Sequence, residues 1–304
     1  MSAGKIAEET VALSDGTSIT FLHRKRGVRW GVIARHAVLI SACLAILLPF
    51  AWILLMSFKS VPDSVQRYIW PKHFVSPWYV NYESVLRRGD VVMGYLKRSL
   101  LVTAGSVLLT TTAAVLAGFA LVHLRTPGKR VVLGILVAST LFPTRVTSLI
   151  GIYQMQDRLG LINKTWGLML PYSALMIAIS VFIMRGVFQT VPRDIMDSSR
   201  IDGASSLRAL TGIMLPLVRN GIVVVMMVNL TFAWGEYVLA TTLMNDFDTR
   251  TLPVFIAGSV GGMATASAGP IAALYVLGIA PSLVFFGIAQ HWYMKGLQEG
   301  ALKT

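Results

Sequence analysis

Apolar residues in this chain are gathered into long runs instead of recurring at helical or strand spacing. Charge-free or nearly charge-free stretches cover residues 37–58, 99–122, 131–144 with an apolar continuation past Arg145, and 165–184. A fifth covers 220–235 and continues beyond Glu236. The last uncharged stretch, 251–290, is too long for one span and holds a Gly-rich break, which places a sixth helix from about Pro270 to Gln290. About 20 apolar residues cross the hydrocarbon core as a helix. The pattern therefore predicts an all-α integral membrane protein with six transmembrane helices. No internal repeat at a fixed period accompanies them.

Composition agrees: 55% of the residues are apolar, only 13% are charged, and the mean hydropathy is +0.66. A soluble domain carries about 25% charge, so a water-soluble fold is excluded. The net charge of +13 comes from basic residues that flank the spans, with no aromatic-basic module among them, so no nucleic-acid partner is expected. Sixteen of the 27 Lys and Arg residues fall on one side if the amino terminus is inside, and Arg24, Lys25, Arg26 and Arg29 lie directly before the first span. That bias predicts a cytoplasmic amino terminus. The first run is too long for a signal peptide and lacks a small-residue cleavage site. Residues 58–93, with Trp70, Pro71, Pro77, Trp78 and Tyr79, read as an ordered interfacial excursion on the outer side.

Several chemistries find no residues to carry them. Cys43 is the single cysteine, so neither a disulfide framework nor a CxxC metal spacing exists. The five histidines, His23, His36, His73, His123 and His291, show no HxxxH or HExxH spacing, and no metal site is predicted. No G-x-x-x-x-G-K-[ST] occurs, so the chain does not cradle ATP in the P-loop manner, and no G-x-S-x-G marks a nucleophile. The 14 acids are dispersed, which argues against a membrane-embedded transferase. Gly258 and Gly262 make a lone G-x-x-x-G pair, a packing pattern of low specificity.

The polar loop between the fourth and fifth runs reads VPRDIMDSSRIDGASSLRALTGIMLPL from Val191. Pro192 suits a first helical turn, and Asp194 and Asp197 favour its positive dipole end. Asp202-Gly203 is a turn dipeptide, after which Ser205 or Ser206 is placed to cap a second helix ending at Pro216. A helix, a turn and a helix protruding between two spans form either a knob for a cytoplasmic partner or an ordinary solvated connector; spacing alone leaves both open.

These residues carry a resemblance. The segment looks like the Glu-Ala-Ala loop of ABC importer permeases, E-A-A-x-x-D-G-A in the sugar-transporter branch followed by I-x-L-P. Asp197, Ser198 and Ser199 stand at the E-A-A positions, Asp202, Gly203 and Ala204 give D-G-A, and Ile213, Leu215 and Pro216 give I-x-L-P. Both alanines are replaced by serine. The likeness extends over nearly the whole chain to the smaller-permease type of the maltose importer, through Ser57-Phe58-Lys59, Trp70-Pro71, Asn81-Tyr82, Phe142-Pro143, Leu159-Gly160-Leu161 with Asn163, Trp234-Gly235-Glu236-Tyr237 and Thr251-Leu252-Pro253.

The resemblance implies the type I ABC importer permease fold, with a cytoplasmic amino-terminal segment over 1–36, a six-helix permease domain over 37–292 carrying a coupling loop at about 189–217, and a cytoplasmic tail over 293–304. It implies a non-catalytic, multi-pass subunit of a bacterial inner membrane. Its partners would be a second, homologous permease in a heterodimer, two copies of an ATPase, a soluble solute-binding protein and a saccharide substrate. ATP and magnesium would sit on the ATPase, with no cofactor on this chain. Asp197, Ser198, Ser199, Asp202, Gly203, Ala204, Ile213, Leu215 and Pro216 would form the ATPase-coupling element, and Gln298, Glu299 and Gly300 would reach the ATPase interface unless the tail is a plain frayed terminus.

Two charged residues at membrane depth are candidates for the substrate pathway. Glu236 interrupts the fifth run and reads as a pathway or ion-binding acid, or as a structural acid near the outer interface. Arg145 reads as an attractor of an anionic substrate or as a side chain snorkelling to the outer interface. With Arg87, Arg88, Lys97 and Arg98 on the outer side it leans toward an acidic saccharide, unless these bind lipid headgroups. The competing functional class is a secondary transporter or channel subunit that uses Glu236 without ATP.

Overall fold

The structure, a computed structural model, describes residues 6–12, 18–24, 30–60, 77–87, 89–141, 148–262 and 268–301. The chain divides into two compact units, Met1–Trp52 and Ile53–Thr304. In the first, strands β1 (Ile6–Ala12) and β2 (Ser18–Arg24) pair antiparallel, with Ile6 opposite Arg24 and Ala12 opposite Ser18. This hairpin precedes the membrane part and adds to the all-α expectation. Asp15-Gly16 between two stretches rich in Ile, Thr, Val and Phe is the sequence signal for it. Helix α1 (Trp30–Met56) follows, and at 27 residues it is long and apolar enough to cross a bilayer.

The second unit is built on one helix pair. Helix α2 (Val80–Leu86) is short, and after it come α3 (Gly89–His123), α4 (Lys129–Leu141), α5 (Leu149–Arg158) and α6 (Thr165–Gln189). Helices α3 and α6 pack along their length because α3 presents small residues to its partner. Gly105 faces Met169, Ser173 Oγ donates to Ser106 O at 3.3 Å, Ala114 is fully buried, and a Cβ on Gly118 would lie 2.9 Å from Met184 Cβ. Lipid tails supply no hydrophobic drive between helices, so close backbone approach and hydrogen bonds through small residues hold such pairs together.

The remaining elements lean on that pair. Helices α7 (Arg193–Ile201) and α8 (Ser206–Leu217) form the loop, and α9 (Arg219–Trp234) returns into the membrane at a bend of 81° to α8. A π-helical turn at Leu210–Met214, Pro216, and the non-helical backbone of Val218 produce the bend. Gly221 of α9 lies against Val187 of α6, and Asn229 Nδ2 donates to Ser180 Oγ at 3.0 Å inside the bundle. Short α10 (Val238–Leu243), α11 (Leu252–Gly262) and long α12 (Ala268–Ala301) complete the unit. Trp234 Nε1 donates to Gly278 O, tying α9 to α12 at 3.1 Å.

Among the described residues four helices are long and apolar enough to span, α1, α3, α6 and α12, and the bent pair α8 and α9 makes a fifth if counted as one. The third expected span corresponds to the 13-residue α4, which runs up to residues 142–147, outside the described ones. Of the excursion expected over 58–93, residues 61–76 lie outside the described ones, and on either side of them Asn81 Nδ2 donates to Ser57 O at 2.8 Å and Lys59 O at 3.0 Å. Because a Cβ at Gly118 already crowds Met184, Gly118→Leu is expected to force α3 and α6 apart and to lower stability by about 1–3 kcal/mol. Thermal unfolding of the detergent-solubilised protein reads the effect, and an unchanged midpoint contradicts the small-residue seam.

Candidate functional site

The loop between α6 and α9 is a helix, a turn and a helix docked on the bundle. Pro192 stands immediately before α7 and Asp194 lies in its first turn. At the other end Gly203 takes φ +74°, Ala204 N donates to Ser199 O at 2.9 Å and Gly203 N to Arg200 O at 3.1 Å. These two bonds are the Schellman closure of a helix, which needs a left-handed residue that glycine supplies without strain. Ser205 then caps α8, its Oγ accepting from Arg208 N. Of the two serines open at the sequence level, the first does the capping.

The loop has an inner and an outer face. Met196, 2% exposed, sits with Phe119, Met184, Phe188, Leu210 and Met214 in one apolar cluster at the ends of α3 and α6. Ser199 is buried and donates to Met196 O, so it faces the bundle. Asp197, Ser198, Asp202 and Gly203 are exposed, as are two large apolar residues at the tip, Ile201 at 86% and Leu207 at 66%. Ala204, Ile213 and Leu215 are half-buried, and Pro216 is exposed at the bend.

Glu236 occupies the break between α9 and α10. One carboxylate oxygen accepts from Leu239 N at 2.9 Å, and the other accepts from Ala240 N at 3.1 Å and Tyr172 Oη at 2.7 Å. The first amides of a helix have no partner within it, and this acid supplies one while tying α10 to α6. Non-helical backbone at membrane depth persists only where protein buries it or where it lines a cavity. Gly235, Glu236 and Tyr237 do border an open cavity of about 800 Å³, which Met176 of α6, Thr231 of α9 and Phe286 of α12 also line. Its described walls carry Glu236 as the one charged side chain.

Asn163, which the resemblance singled out without a role, forms a second clamp. Asn163, at φ +61°, accepts at Oδ1 from Asn245 N at 2.6 Å and Asp246 N at 3.2 Å, and holds the loop after α10. Asparagine is one of the few residues that tolerate this backbone, and Leu159-Gly160-Leu161 beside it was the available signal. Of the basic group expected on the outer side, Arg87 pairs with Glu83 at 2.9 Å, Arg98 donates to Arg250 O at 3.1 Å, and Lys97 is exposed. Arg145 and Arg88 lie outside the described residues. Gln298, Glu299 and Gly300 belong to the last turns of α12, whose side chains there are likewise outside them.

Residues 110–297, which include the loop, the Glu236 break and α12 as far as Leu297, match the family of binding-protein-dependent transport system inner membrane components. The chain belongs to this family. It is a non-catalytic, multi-pass permease component, as the Asp197–Pro216 resemblance implied. The chain is 30% identical over 295 residues to a sulfoquinovosyl glycerol transport system permease of Agrobacterium fabrum, covering 97% of this chain and 99% of that one. It is 29% identical to a trehalose transport system permease of Mycobacterium tuberculosis, over 84% and 92% of the two chains. A chain in the crystal structure of a bacterial ABC transporter that imports the acidic polysaccharide alginate superposes with a TM-score of 0.75 at 20% identity, covering 89% of this permease and 99% of that chain. This shows the fold.

The bonding of Glu236 marks it as a structural acid. Glu236→Gln, which replaces one acceptor by a donor facing helix amides, is expected to destabilise the permease by about 1–3 kcal/mol; Tyr172→Phe, which removes one donor, should cost less. Thermal unfolding of both variants checks this. A Glu236→Gln protein of unchanged stability that has lost transport contradicts the structural assignment.

Proposed function

We propose that this permease pairs with a second, homologous permease to form the path for a saccharide delivered by a soluble binding protein, and that two copies of an ATPase drive it through the loop at about 189–217. The observation that carries the reading is the loop itself: closed at its central turn by the Gly203 bonds and the Ser205 cap, seated on α3 and α6 through Met196, and presenting Asp197, Ser198, Asp202, Ile201 and Leu207 outward. A stiff knob with exposed apolar tips suits rigid-body transmission from a partner. The sugar-related names of its relatives support a saccharide cargo.

In this reading the amino terminus is inside, ATP and magnesium bind the ATPase, and Gln298, Glu299 and Gly300 at the end of α12 reach toward that subunit. The cavity beside Glu236 is this chain's share of the path, and its aromatic and apolar lining suits the ring faces of sugars. Ser199 supports the loop from within, while Asp197 and Ser198 face the partner. Engagement of the Glu236 carboxylate by three donors within the fold disfavours the alternative of a secondary transporter that uses it as an ion site.

The test is reconstitution of the permease with its co-purifying subunits in proteoliposomes, with ATP hydrolysis measured against loaded binding protein. Gly203→Pro imposes a φ near −65° where the turn needs +74°, and is expected to abolish the stimulation. A permease that purifies alone and moves solute down an ion gradient contradicts the proposal.

A further inference from the structure

Helix α7 follows α6 in the chain, yet its polar contact runs to α3. Arg200 Nη2 donates to the backbone oxygen of His123, the last residue of α3, at 2.7 Å across 77 positions of sequence. Its other terminal nitrogen, Nη1, lies 3.3 Å from Asp197 Oδ1, one turn back on α7. The receiving carbonyl is held in place in turn. The His123 ring is nine-tenths buried, 5.4 Å from the ring of Phe119 and 5.9 Å from that of Phe188, and Thr126 Oγ1 donates to Ala120 O in the same last turn.

The two attachments of α7 differ in kind. Met196 in the apolar cluster resists removal of the helix, but apolar contact is non-directional and lets it roll or slide. A guanidinium on a helix-terminal carbonyl is charge-assisted and directional, and it meets the one end of α3 where carbonyls lack partners and the dipole attracts a cation. Arg200 therefore sets the rotation of α7 against α3. It stands at one of the two positions that E-A-A-x-x-D-G-A leaves open, so the loop motif itself does not require it.

We propose that Arg200 is a positioning residue that latches the coupling loop to α3, so that displacement of the loop moves α3 and α6 as one body instead of rolling α7 in its seat. The inference rests on the coupling function proposed above. Its test is the amount of solute transported per ATP hydrolysed by the reconstituted complex. Arg200→Met keeps the aliphatic stem and removes the donors; the ATPase is expected to remain bound while the transport ratio falls about ten-fold. Arg200→Lys, which restores a cationic donor, is expected to recover most of it.

An unchanged ratio in Arg200→Met overturns the latch, and so does loss of the ATPase from that complex, which would place Arg200 on the subunit interface. A wild-type complex whose hydrolysis ignores loaded binding protein overturns the coupling reading and the latch together. Hydrogen exchange of the wild-type complex needs no substitution: residues 119–124 and 195–201 are expected to change protection together between nucleotide-free and ATP-trapped states, and independent change overturns the latch.

Discussion

Close approach of α3 and α6 is the constraint on which the rest of the permease unit depends. Gly105, Ser106, Ala114 and Gly118 let two long helices meet where larger residues would hold them apart. Without water in the bilayer core, contact of this kind and the hydrogen bonds it permits are what make one helix prefer another to lipid. Every functional feature is mounted on the result. The loop is seated on its inner-cluster end through Met196, α9 lies against it through Gly221 and Asn229, and Tyr172 of α6 reaches the Glu236 break.

The two breaks in regular structure gain meaning from that frame. The bend between α8 and α9 turns the chain by 81° from the loop into the membrane. The break at Gly235 to Tyr237 opens the backbone beside a cavity, and the Glu236 carboxylate repairs the amides that the break leaves unmet. In both places irregular backbone costs free energy that neighbouring groups offset.

The four long spans α1, α3, α6 and α12 were legible because each rests on a contiguous apolar run, and the loop because Pro192, Asp202-Gly203 and Ser205 are local signals with local consequences. What escaped depended on partners far away in sequence. Glu236 is explained by Tyr172, 64 residues earlier, and Arg200 by His123, 77 residues earlier; no spacing rule links either pair. Ser199 shows the opposite limit, since the motif placed it among partner-facing residues whereas helical periodicity with Met196 turns it inward. The hairpin of β1 and β2 has a local signal in Asp15-Gly16 and its flanking Ile, Thr, Val and Phe residues.

The most direct test of the account is whether the loop and the helix pair move as one body. Cys43, the single cysteine, is replaced by serine, and spin labels are placed at exposed Ser198 on α7 and exposed Leu109 on α3. Their separation is then measured by pulsed electron resonance in the assembled complex, without nucleotide and with ATP trapped. The account predicts one unchanged distance distribution in both states while distances from Ser198 to the second permease shift. A distribution that changes between Ser198 and Leu109 would mean that the loop moves against its own seat, and the rigid-body account would be wrong.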